Sequence, residues 1–430
     1  MGFEYDPFFY FNAAEDPRLG EYIVNHHVAR VAWGDTPAVI FAPAGGGKTS
    51  LRIDITRSAW VSAGYLHPLP VPYIPAQLTR NGRPPTSEEH LQDILHAIAS
   101  TLLIVVAYFP QLLLAQTEQY TARLVELWRQ WLQRPLVFLV DTLAETLSAN
   151  QFGRLLDPTY LIASLPTVDK ADSAMRAHHA LSQLVATIRS HLTSAEHTDR
   201  PTQGRSVSLS QLQASLEEMI QAVRQLGFKN IHLEVDGADG LPETINDPEA
   251  AAQQVRWLLQ QAPDWERRGL CVKAFLPIET EDLLNLSAEW QKANIVWTPD
   301  LLSEVIRRRV YRATGGKFGS LDAISSPVLR DVDTYLAQQV VPLPREVIML
   351  VRLVLQAMAD RTQGSEGRIE SEDLDAAMRA YAKNRALIAD VTPLPSELLR
   401  NANLILSNSA TLNPNIFVSS QAFSHGRSIR

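Results

Sequence analysis

Residues 37–60 restrict the fold more than any other stretch of this chain. A short apolar run, Pro37 to Phe41, is followed at once by Ala42, Pro43, Ala44, Gly45, Gly46, Gly47, Lys48 and Thr49. The next residues, Lys48 to Trp60, read as a helix with Leu51, Ile53, Ile55 and Trp60 available for packing. The apolar run suits a strand buried on both faces, as in a parallel sheet. Three consecutive glycines let backbone N–H groups turn inward without Cβ clashes, and the helix start adds its positive dipole end. Strand, glycine-rich turn and helix in that order form a cradle for phosphate.

The eight residues match the Walker A pattern with Ala42 in place of its first glycine. In that pattern the backbone of Ala44 to Ser50 surrounds the phosphates. Lys48 reaches the β and γ phosphates and the Thr49 hydroxyl ligates magnesium. Such a site needs a carboxylate at the end of a neighbouring strand. Two segments offer one, Leu136 to Asp141 and Ile231 to Asp239. The first starts after Pro135 and continues through Leu139, Leu143 and Leu147, which reads as a helix. The second follows a helix ended by Gly227 and finishes Asp236, Gly237, Ala238, Asp239, so it is the preferred acidic motif. Asp236 is the magnesium-side acid and Asp239 the group that positions water. A turn residue beside Gly240 is the alternative reading of Asp239.

Elsewhere, Met1 to Asp35 reads as an N-terminal segment with aromatic residues Phe8 to Phe11 and a short helix around Leu19 to Ala32. Val71 to Ile74 lies among prolines that would restrict it to an edge strand or an extended loop. Ser87 to Arg200 is helical in pattern and forms a large insertion, with His197 to Ser206 a polar linker. The α/β alternation resumes with a helix at Ser208 to Leu226, a strand at Ile231 to Val235, a helix at Ala250 to Gln261, a strand at Leu270 to Leu276 and a helix at Glu281 to Glu289. Helices follow at Leu301 to Ala313, Val328 to Val340, Arg345 to Asp360 and Ser371 to Asn384. The expected fold class is α/β: a three-layer core at 36–300 with a mostly parallel sheet, a helical insertion at about 87–200, a C-terminal helical lid at 301–386 and a tail at 387–430.

At 430 residues the chain exceeds the ~250 to 300 at which single cores stop growing, so more than one lobe is expected. A formal net charge of -8 argues against nucleic-acid binding through the overall field. The lone Cys271 excludes an intrachain disulfide framework and fits a reducing compartment, with the cytoplasm as the expected location. The N-terminus has no basic region and does not read as a signal peptide. His96 to Thr117 is uncharged and long enough to span a bilayer at ~20 residues. Its stripe of Ile94, Leu95, Ile98, Leu102, Val105 and Val106, interrupted at Pro110, reads instead as a buried core helix, and no membrane span is expected.

These motifs in this order resemble the P-loop ATPases of the AAA+ and STAND groups, particularly bacterial STAND-like proteins. The acidic motif is similar to the NACHT style, in which the second acid stands three positions after the first and is often followed by Glu, where this chain has Gly240. Val272 to Pro277 resembles the strand near which sensor 1 sits, although no Asn or Thr fills that position. The resemblance implies a lid helix from Leu301 carrying Arg307, a candidate to reach a neighbouring subunit's γ-phosphate. It also implies that Arg345, after Leu343 and Pro344, acts as the sensor 2 arginine. It further implies ATP and Mg2+ as ligands, and a hydrolysing molecular switch that couples nucleotide state to lid closure and to self-association or a protein partner in signalling or defence. An ATP-binding scaffold with little hydrolysis and an AAA+ DNA-associated regulator are the alternatives.

Overall fold

The structure is a computed structural model that describes residues 2–61, 67–75, 83–146, 148–156, 171–193, 207–240, 244, 246–364 and 366–389. The expected linker at 197–206 and almost all of the expected tail lie outside these residues. The chain divides into two compact units, one from 13–42 and 47–295, the other from the described parts of 1–12, 43–46 and 296–430. The expected N-terminal segment is thus shared between the units.

In the larger unit, helices α1 (Leu19–Tyr22) and α2 (Ala29–Trp33) precede strand β1 (Ala38–Ala42), helix α3 (Lys48–Val61) and strand β2 (Leu69–Tyr73). The connection that follows holds α4 (Ser87–Tyr108), α5 (Gln111–Leu114), α6 (Glu118–Trp131), α7 (Leu136–Thr146), α8 (Ala149–Leu156), α9 (Ala171–Thr193) and α10 (Leu209–Gln225). Strand β3 (Ile231–Val235), helix α11 (Pro248–Arg268), strand β4 (Leu270–Pro277), a 3-10 turn at Ile278–Leu283 and strand β5 (Gln291–Asn294) complete it.

The five strands form one parallel sheet in the order β2-β3-β4-β1-β5. Prolines 70 and 72 sit on edge strand β2, where a missing ladder donor is tolerated. Strand residues alternate between the faces. Val39, Phe41, Val71, Leu233, Val235, Val272 and Ala274 join one apolar cluster with α4, α6, α10 and α11. The opposite face carries α3, which packs on β1, β2 and β4 with α1 and α2 beside it. These three layers fit parallel strands joined by right-handed crossovers. The connections that leave the neighbouring strands β1 and β4 run to opposite sides of the sheet, which makes their carboxyl ends a topological switch point where open α/β sheets bind ligands.

Helix α4 begins with a capping box: the Thr86 hydroxyl accepts the Glu89 N–H and the Thr86 N–H donates to Glu89. By length and composition it is apolar enough to cross a membrane, yet it is mostly buried in the core of this unit. It also lies on β2, so it belongs to the sheet layer as well as opening the insertion. The indole of Trp128 on α6 is fully buried and donates to the Ala99 carbonyl at 3.1 Å.

Several expectations are corrected. Leu19 to Ala32 is two short helices rather than one. Glu281 to Glu289 is not helical beyond the 3-10 turn, because Asn285 takes a left-handed conformation (φ 39°) that ends it. The helix from Ala250 runs through Pro263 to Arg268 and stops at Gly269. Strand β5, Gln-Lys-Ala-Asn, was not expected. It is an exposed edge strand with no apolar signal and is held by backbone pairing to β1.

The smaller unit contains α12 (Pro299–Ala313), a 3-10 turn at Leu321–Ile324, α13 (Val332–Gln338), α14 (Pro344–Arg361) and α15 (Ser371–Ala389). Helix α13 is shorter than the expected Val328 to Val340 because Asp331 is left-handed (φ 53°) just before it. The N-terminal residues strap these helices together. Phe8 is fully buried, the Glu4 N–H donates to the Ala313 carbonyl, and Arg309 donates to the Pro7 carbonyl. The Arg352 guanidinium lies 5.1 Å from the Phe9 ring centroid and 5.2 Å from that of Phe11.

Trp128→Ala should lower the unfolding free energy by about 3–5 kcal/mol, whereas Phe138→Ala, at a half-exposed position, should cost under about 0.5 kcal/mol. Urea titration followed by circular dichroism measures both, and equal losses would contradict this packing.

Candidate functional site

The glycine-rich loop leaves the carboxyl end of β1 and runs into α3. Gly45 (φ 78°) and Gly47 (φ 93°) are left-handed, a conformation that side chains resist, so the glycines are needed for the shape of the turn. The first helical bond of α3 is from the Leu51 N–H to the Gly47 carbonyl. This start of α3 places the positive end of its dipole at the loop. Ala44, Thr49 and Ser50 are half-buried around this turn.

Helix α3 faces the end of β3 through one stripe of side chains spaced by four. Lys48 Nζ lies 3.3 Å from Asp239 Oδ2 and donates to the Ala42 carbonyl at 3.1 Å. One turn on, Arg52 Nε donates to Asp236 Oδ2 at 3.1 Å. One turn further, the Thr56 hydroxyl lies 2.6 Å from Glu234 Oε2 and 3.0 Å from the Arg52 carbonyl. Residues i, i+4 and i+8 share a helix face, which is why the three contacts line up. Asp236 also accepts the Gly237 N–H on Oδ1 at 2.8 Å.

The segment after β3 is a tight turn closed by the Gly240 N–H to the Gly237 carbonyl at 2.9 Å. A Cβ at position 240 would stand 2.9 Å from that same carbonyl oxygen, so this turn favours glycine there. The sequence left Asp239 open between a turn residue and a site residue. It is in the turn, and its carboxylate meets Lys48.

Beneath these pairs the α3 side of the sheet is polar. His232, Glu234 and Lys273 are buried, Glu234 and Lys273 completely. Lys273 donates to the Gly34 and Thr36 carbonyls. Burial lowers its pKa and, with the nearby Lys273 and Lys229, holds His232 neutral. Burial raises the Glu234 pKa to about 7 against the opposing pull of Arg52. The geometry agrees with a protonated Glu234: the Thr56 hydroxyl has one proton and two acceptors beside it, and a proton on Glu234 supplies the second bond.

Two further contacts reach the loop from its own unit, the smaller one. The Trp297 indole donates to the Gly46 carbonyl at 2.8 Å. The side chain of Arg345, in the first turn of α14, packs so closely on Gly45 that a Cβ there would lie 3.1 Å from Arg345 Cβ. Arg307 is engaged elsewhere: its Nε donates to Asp333 Oδ2 at 3.2 Å. Asp333 is fully buried, and burial raises its carboxyl to about 6. The rejected acidic candidate, Asp141, lies on α7 in an exposed pair with Arg189.

Sequence reasoning missed Arg52, Thr56, Glu234 and Trp297. The signal for the first three was present: a polar residue every fourth position after Lys48, and a strand, Ile-His-Leu-Glu-Val, whose alternate residues are polar although both its faces are covered.

Compared with protein-family models, curated proteins and solved structures, the chain matches none.

Glu234→Gln should keep the bond to Thr56 while removing the titration. A raised carboxyl pKa means the folded protein holds its proton longer than the unfolded chain, so wild-type stability falls as pH rises from about 4.5 to about 7. The gain of Glu234→Gln over wild type should therefore grow from near zero below that window to about 3 kcal/mol above it. Urea unfolding at a series of pH values measures it, and a gain independent of pH would contradict the assignment.

Proposed function

We propose that this chain is an ATP-binding and ATP-hydrolysing switch of the AAA+/STAND type. The observation that carries the reading is the stripe Lys48, Arg52 and Thr56 set against Asp239, Asp236 and Glu234 at the carboxyl edge of a parallel sheet. It joins a phosphate-type loop to two carboxylates that sequence spacing alone had paired with it.

In this reading the backbone N–H groups of Ala44 to Ser50 hold the phosphates and the Lys48 ammonium moves from Asp239 to the β and γ oxygens. Once Lys48 has left, the Asp239 carboxylate is free to orient and accept a proton from the attacking water. Thr49 and Asp236 would hold Mg2+, one hydroxyl and one carboxylate being a donor set that suits an ion bound mainly through phosphates. That ion neutralises charge on the phosphates. Loop residues Gly45 and Gly46 touch Arg345 and Trp297 within the smaller unit, so a change in loop conformation is felt directly by helix α14 and the segment before α12. Arg345 is the sensor candidate this favours. The pairing of Arg307 with buried Asp333 favours a structural role for that residue.

The tie between Asp239 and Lys48, together with Gly240, also favours a second reading, a scaffold that binds ATP with little turnover. Steady-state phosphate release separates the two. For the switch, Lys48→Ala abolishes turnover and Asp239→Asn slows it by roughly 100-fold or more, the scale of a lost general base. Turnover at background for the wild-type chain, alone and concentrated, supports the scaffold. Light scattering of the protein with no nucleotide, with ADP and with a slowly hydrolysed ATP analogue should show a larger species with the analogue. A size independent of nucleotide contradicts ATP-driven self-association.

A further inference from the structure

Arg52 has no role in the motif that identified this loop, yet it is a buried charged side chain paired with an acid of the site. Its side chain is 3% exposed and that of its partner Asp236 is 6% exposed. The guanidinium Nε bonds one carboxylate oxygen of Asp236 at 3.1 Å, and the Gly237 N–H bonds the other at 2.8 Å. The helical turn that carries Arg52 is fixed in turn by Thr56, whose hydroxyl touches both the Arg52 carbonyl and Glu234. Asp236 is therefore held in one orientation by donors to both oxygens.

A guanidinium stays charged at any working pH and, when buried, is screened much less than at the surface. It satisfies the Asp236 carboxylate, and it repels any second cation that approaches the same group. Mg2+ dehydrates reluctantly and binds through one or two carboxylates plus substrate phosphates. Among the described residues no group of three or more His, Cys, Asp or Glu side chains is placed to hold a metal ion. A metal arriving alone would meet one carboxylate already neutralised by Arg52. A metal arriving with a polyphosphate brings the negative charge that offsets the guanidinium.

We propose that Arg52 is a positioning residue that aims Asp236 and, as the resident counter-cation, makes metal capture conditional on the nucleotide. The inference rests on the ATP reading given above. It assigns Arg52 two separable effects. Its positive charge excludes free divalent ions, and its hydrogen-bonding geometry holds Asp236 where a metal–nucleotide complex needs it.

The test uses the full chain as wild type, Arg52→Gln and Arg52→Lys, with circular dichroism to establish folding. Binding of Mn2+ is read by electron paramagnetic resonance, with and without a slowly hydrolysed ATP analogue. Binding of a fluorescent ATP analogue in chelator is read separately. Wild type should bind Mn2+ only in the presence of the analogue. Arg52→Gln should bind Mn2+ without nucleotide, with affinity at least about tenfold above wild type, while its magnesium-dependent kcat falls by about 10- to 100-fold, the usual effect of losing a partner that orients a metal ligand. Arg52→Lys keeps the charge and so should still exclude free Mn2+, but it lacks the planar fork and should lose about tenfold in kcat. A merely structural Arg52 would not change nucleotide-free Mn2+ binding. Mn2+ binding to wild type that is equally tight with and without the analogue overturns the proposal. So does an Arg52→Gln protein with wild-type metal dependence, or, should that variant not fold, an Arg52→Lys protein with wild-type turnover. Failure of the wild type to bind the fluorescent analogue at all is a different result: it removes the ATP reading itself.

Discussion

The ion pair between Lys48 and Asp239 and the one below it, between Arg52 and Asp236, fix how helix α3 meets the rest of the larger unit. Both link residues nearly two hundred positions apart, across the whole helical insertion. A buried charge is costly unless it is paired and hydrogen-bonded, so each side chain of the stripe constrains its partner as strongly as its own element. Removing one member leaves the other uncompensated, and for Asp236 that would also release a carboxylate whose second oxygen accepts the Gly237 N–H. The site is thus built into the packing of α3 on the sheet.

The same pairs set the charge balance at the carboxyl edge of the sheet. Lys48 is neutralised by Asp239 and Arg52 by Asp236, while Glu234 below them is held protonated toward neutral pH by burial. In the proposed function, a polyanion entering the loop would compete for Lys48 and release Asp239 in the same event. Within the smaller unit, which includes Pro43 to Gly46, the Trp297 indole donates to the Gly46 carbonyl and Arg345 packs on Gly45.

Much of this was legible in the sequence where a local rule governs structure. The strand, the glycine-rich turn and α3 follow from composition within a short window, and the prolines of β2 require the edge position they occupy. Asp141 was rightly separated from Asp236, because a run that continues at helical spacing cannot also end as a strand. What was not legible depends on distant partners. Strand β5 has no apolar pattern of its own and exists because β1 offers an unpaired edge. Helix α13 and the turn after β4 are cut short by single left-handed residues, Asp331 and Asn285, which the hydrophobic pattern does not reveal. Arg52 and Glu234 could be seen as polar residues in apolar company, but their pairing needed the sheet order that brings β3 under α3.

The central claim is that the loop from Ala42 to Thr49 binds a nucleoside triphosphate through Lys48. Calorimetric titration of the full chain with a slowly hydrolysed ATP analogue in the presence of magnesium tests it most directly. Saturable binding near one ligand per chain is expected, lost in Lys48→Ala while that variant keeps the wild-type circular dichroism spectrum. Absence of binding to wild type, or equal binding to a folded Lys48→Ala protein, would contradict it.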